Sequence, residues 1–179
     1  MDKRFSARFL KRLSKLRKSQ PIPAIVLGYL WGLLFCFLRF HREGVPFSWS
    51  LAPLSVRDAF TALAVTELPF FMLCTLSGFG KFPRLPLVPV LLRSFLWGCG
   101  SFTVYLGTNQ RILYFLYVIG CTLTLLPLAC LTKLSMGYSE SPKRQNWSDH
   151  LRYLYQCLYF WGLTLIILFF RSLAGYLLC

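Results

Sequence analysis

Two side chains in this strongly apolar chain are of the kind that does chemistry. Arg93 lies well inside "PLVPVLLRSFLWGCGSFTVYLG", residues 86–107, and Glu67 lies inside "SVRDAFTALAVTELPFFMLCTLSGFG", residues 55–80. A charge near the middle of a membrane-crossing segment costs roughly 2.5–3.5 kcal/mol on insertion scales, so it is expected to face a bundle interior and to find a partner. Glu67 is the only acidic residue within the apolar runs. An intramembrane pair of Glu67 with Arg93 is therefore expected. The tight turn between their segments makes those segments antiparallel neighbours, and at ~1.5 Å rise per residue the two side chains lie within about two helical turns in depth. Two other readings stay open. Arg93 can snorkel toward the nearer headgroups, or the two residues can line a substrate or proton path.

Other chemistries find little to work with. Hydrolysis or acyl transfer at membrane depth needs a nucleophile and a base within hydrogen-bond reach. The two histidines, His41 and His150, fall on opposite sides of the membrane in the topology below, and the serines inside apolar runs have no histidine nearby. Cys36, Cys74, Cys99, Cys121, Cys130, Cys157 and Cys179 include no C-x-x-C pair and sit almost entirely in apolar runs, as small packing residues do. The expectation is a non-enzymatic protein with no cofactor and no metal.

The elements that must carry Glu67 and Arg93 follow from composition. Of 179 residues, 56% are hydrophobic and only 15% charged, and the mean hydropathy is +0.55. The apolar residues are bunched into five runs, each near the ~20 residues that a helix needs to cross a bilayer. The predicted fold class is all-α: a polytopic domain over residues 21–179 with five transmembrane helices, preceded by a basic segment over 1–20. The spans are expected at about 22–38, 59–79, 86–107, 112–131 and 155–178. Ser55 and Asp58 have capping-box spacing at the start of the second. Glu67 and Pro69 are expected to interrupt that span. The longest polar connection is "TKLSMGYSESPKRQNWSDHLR", residues 132–152.

Small residues mark helix contacts. Gly28 and Gly32 form a G-x-x-x-G on the first span, and Ser94 with Gly98 forms a similar face on the third, which Gly100 and Ser101 continue. Such faces serve internal packing or a partner interface.

Net charge is +14, and its placement decides its meaning. Eight basic residues lie in the first eighteen positions, where Phe5, Phe9, Leu13 and Leu16 recur at helical spacing. That pattern suits a basic amphipathic helix on an anionic lipid surface, or a solvated tail that only fixes orientation. Most of the rest flank apolar runs, which is a topology signal rather than a nucleic-acid groove, so membrane lipid and no nucleic acid is expected as partner. With the N-terminus cytoplasmic and the C-terminus extracytoplasmic, the inner side holds fourteen basic residues and the outer side only Arg42, Arg57 and Arg111.

The segment 76–131, "LSGFGKFPRLPLVPVLLRSFLWGCGSFTVYLGTNQRILYFLYVIGCTLTLLPLACL", resembles the stage II sporulation protein M family of spore-forming bacteria. The resemblance lies in a basic residue, Arg93, just before a small-residue face with Gly98 and Gly100, then a tight turn and a helix with Pro127 near its end. "GYLWGLLFCFL" resembles that family's first helix. The chain departs from the pattern at Ser94, where glycine is expected, and at Leu128 and Ala129, where polar residues are expected. The resemblance implies a cell-membrane scaffold for septal peptidoglycan remodelling during sporulation engulfment, holding the stage II sporulation proteins D and P. The outer segment from Glu43 to Arg57 would be the contact, with Phe47 and Trp49 as anchors. The alternative function is a small permease or a membrane subunit of a transporter.

Overall fold

Each apolar run winds into a helix, and each helix keeps its few buried positions on one face. The computed structural model describes residues 21–43, 55–80, 82–107, 111–140 and 146–178. The basic segment before residue 21, and Phe47 and Trp49, lie outside them. The helices are α1 (Pro21–Glu43), α2 (Val56–Gly78), α3 (Leu87–Gly107), α4 (Arg111–Ser139) and α5 (Trp147–Leu178). All five are long and apolar enough to cross a membrane, so this is an all-α, five-span membrane protein.

Helix starts and turns follow local chemistry. Ser55 is extended and caps α2: its hydroxyl accepts from the Asp58 amide at 3.1 Å and donates to the Asp58 carboxylate at 2.7 Å. The α2–α3 connection is a chain of short-range turns, Gly80 N to Ser77 O, Leu85 N to Phe82 O and Leu87 N to Arg84 O, each 3.1 Å. Within the helices, hydroxyls bond their own backbone four residues back, as Thr75 to Phe71 O (2.9 Å), Thr132 to Leu128 O (2.8 Å) and Ser172 to Leu168 O (2.7 Å). In lipid that is the cheapest way to satisfy a hydroxyl.

Two expectations need correction. Pro69 does not interrupt α2, and α4 runs on through Pro127. A proline deletes one backbone hydrogen bond and crowds one carbonyl, which an apolar segment tolerates when leaving the helix would strand many more polar groups in lipid. The polar connection over 132–152 is mostly helix as well, because α4 continues to Ser139 and α5 begins at Trp147. Three of its hydroxyls are taken up by the bundle: Thr132 and Ser135 are fully buried, and Ser139 donates to Gly80 O at 2.7 Å.

The helices pack as a bundle of α2, α3, α4 and α5, with α1 laid along α3. On α2 the buried positions Glu67, Phe71, Cys74, Thr75 and Gly78 form one face. On α5 the stripe is Tyr153, Cys157, Thr164, Leu168 and Ser172. Phe71, Val90, Leu125, Leu128, Leu131 and Tyr153 make the shared core.

The α1–α3 contact is backbone on backbone. A Cβ on Gly28 would stand 2.5 Å from Leu91 O, and one on Gly32 or Gly98 would overlap a carbonyl oxygen, of Phe95 or Tyr29. Gly28, Gly32, Ser94 and Gly98 are therefore spent on internal packing. Gly100 is not part of that face, which corrects the sequence reading. Its missing Cβ makes room for the Tyr117 hydroxyl of α4.

Candidate functional site

The charges sit where α2, α3 and α5 converge. Glu67 is 1% exposed and Arg93 5%. Arg93 grips the carboxylate with two parallel hydrogen bonds, Nε donating to Oε2 at 2.5 Å and Nη2 donating to Oε1. The fork matches the geometry of a carboxylate and fixes both side chains. Arg93 thus reaches across to α2 rather than along its own helix to the headgroups.

A third residue joins them. Arg171, on α5, places Nη1 at 3.7 Å from Glu67 Oε1. The signal in the sequence that could have found it is a second arginine within an apolar run, with Glu67 the only acid in those runs to serve both. α4 shapes its seat with three residues on one face. The Tyr117 ring lies under the guanidinium, 5.7 Å from Cζ to the ring centre. Gly120 leaves space for the stem, since a Cβ there would stand 2.9 Å from Nε and 3.1 Å from Cδ. Cys121 Sγ accepts from Nη2 at 3.3 Å.

A second polar cluster, toward the other end of α2, is different in kind. The Tyr153 hydroxyl donates to Thr75 O at 2.7 Å and bonds the Ser135 hydroxyl at 2.9 Å, while the Trp161 indole N–H donates to Thr75 Oγ1 at 3.2 Å. Cys74 Sγ lies 3.3 Å from Thr132 Oγ1. The Tyr153 ring stacks on Tyr138 at 4.1 Å, and the Tyr138 hydroxyl bonds His150 Nδ1. This hub ties α2, α4 and α5 with its donors used. The buried side-chain atoms without a hydrogen-bond partner among the described residues are Ser94 Oγ, Trp97 Nε1, Ser101 Oγ and Arg171 Nη1. They lie on α3 and at the charged site, not at the hub.

No family model matches this chain, and no curated protein or solved structure matches it. The charged site stands on its geometry. Among the described residues it is the place where permanent charge is buried in the spans, and it couples three of the five helices through one carboxylate.

Proposed function

We propose that this protein is a non-enzymatic integral membrane scaffold that holds a cell-envelope remodelling complex, in the manner that its resemblance to the stage II sporulation protein M family implies. The observation that supports it most is the shared carboxylate of Glu67. Both oxygens are occupied by guanidinium groups from two other helices, and such a cross-tie favours a bundle of fixed shape over one whose helices slide past each other. A fixed membrane body suits holding partners. On this reading the peptidoglycan hydrolases of the D and P kind are recruited on the outer side by the segment around Phe47 and Trp49. The excess of basic residues orients the N-terminus to the cytoplasm.

Deletion in the source organism, scored by sporulation morphology, tests the reading. A swollen septum with stalled engulfment is the expected outcome, and normal spores would sink it. A Phe47→Ala/Trp49→Ala double variant should lose co-purification of the partners; retained co-purification removes that docking segment.

A transporter role remains the second reading, and the observation in its favour is the buried Nη1 of Arg171, which ion-pairs with Glu67 but has no hydrogen-bond partner. Glu67→Gln separates the two. A proton-coupled carrier loses pH-dependent flux in reconstituted vesicles, whereas a scaffold that still folds keeps its partners.

A further inference from the structure

The permanent charges that meet at Glu67 do not balance. Glu67 supplies one negative charge, and Arg93 and Arg171 supply two positive ones. Two guanidinium groups offer about ten N–H donors, against about four acceptor sites on one carboxylate. Arg93 takes the two direct hydrogen bonds. What is left to Arg171 is an ion-pair contact at 3.7 Å, made by an Nη1 atom that is buried and has no hydrogen-bond partner. Nη2 is directed at the Cys121 sulfur.

The seat of Arg171 is built. Tyr117, Gly120 and Cys121 share one face of α4 and hold ring, stem and guanidinium edge in turn. Arg171 also stands near the end of α5, which closes at Leu178, ~10 Å further on. A long arginine at that depth can escape to the headgroups. This one turns inward, toward a carboxylate already taken. Its side chain is 18% exposed, so part of it reaches the margin of the bundle although Nη1 itself is buried.

We propose that Arg171, seated on α4 and only partly neutralised by Glu67, holds one phosphate-class oxyanion at the edge of the bundle. The guanidinium fork matches a phosphate as it does a carboxylate, and the added charge brings the site to neutrality. The phosphate has two possible sources, the headgroup of an anionic lipid or free phosphate. The site is independent of the scaffold reading and of the sidedness of the chain.

The full chain, purified in neutral detergent, is reconstituted into phosphatidylcholine nanodiscs with and without phosphatidylglycerol, and is titrated separately with inorganic phosphate against chloride of matched ionic strength. Native mass spectrometry counts the retained phosphatidylglycerol, and calorimetry reads phosphate affinity. Retention of phosphatidylglycerol with no response to inorganic phosphate assigns the site to a lipid headgroup. A response to inorganic phosphate assigns it to a soluble anion. Either result upholds the site only if Arg171→Gln lowers that binding by about tenfold or more. Cys121→Asp supplies an internal anion beside Nη2 and should abolish the same binding while the thermal midpoint rises, which keeps the test valid should Arg171→Gln fold poorly. Wild-type protein that binds neither probe overturns the proposal, as does binding that survives both substitutions unchanged.

Discussion

At the scale of the residue, the decisive fact is that one carboxylate serves two arginines unequally. Glu67→Gln leaves the buried Arg93 and the half-buried Arg171 without an anion and should destabilise the protein by about 3 kcal/mol or more, read as a fall in the thermal midpoint in detergent. Arg171→Gln removes the surplus charge and leaves the Glu67–Arg93 pair whole, so its midpoint should match or exceed that of the wild type. Exchanging the pair, Glu67→Arg with Arg93→Glu, should rescue only partly, because position 67 would then face Arg171 with like charge. Adding Arg171→Gln to the exchange should complete the rescue. If the exchange alone restores the midpoint, Arg171 is not coupled to Glu67. The sequence carried half of this site. Glu67 was the sole acid available to Arg93, and the turn between α2 and α3 made them neighbours. Arg171 lies over a hundred residues from Glu67 along the chain, and only the packing of α5 on α2 and α4 brings it in.

At the scale of the element, the contacts divide into those made by backbone and those made by side-chain tips, and they should respond differently to the same substitution. Gly32→Ala meets the carbonyl of Phe95, which cannot move aside, so α1 should separate from α3 and the midpoint should fall with no single side-chain change to relieve it. Gly100→Ala meets the hydroxyl of Tyr117, so Tyr117→Phe should recover much of the loss. Tyr153→Phe removes a donor from the Thr75 carbonyl, leaves the Ser135 hydroxyl only its contact with Cys74 Sγ, and should cost about 1–3 kcal/mol in the same assay. Helix existence was legible because each run is apolar for the full width of a bilayer. Helix ends were not, because Thr132, Ser135 and Ser139 look solvated as residue types, yet find partners on neighbouring helices that the linear sequence does not display. Gly100 was misplaced for a related reason: glycine spacing shows that something approaches closely, but not which helix does.

At the scale of the whole molecule, the proposed topology of five crossings predicts that positions 2 and 179 face opposite sides of the bilayer. Impermeant labelling of single-cysteine variants should find a probe at position 2 protected in intact cells and a probe at position 179 reactive; equal reactivity at both ends would remove the assigned sidedness. The order in which the helices reach the membrane during synthesis adds a constraint. α2 leaves the ribosome carrying Glu67 while Arg93 still lies twenty-six residues behind it. Until α3 arrives, the acid has no counter-charge in lipid. α2 and α3 are therefore best delivered together as a hairpin, and α1 must wait in the insertion machinery for the same event, since α3 is its main neighbour. A nascent chain halted after α2 should cross less efficiently than one halted after α3, and Glu67→Leu should erase the difference.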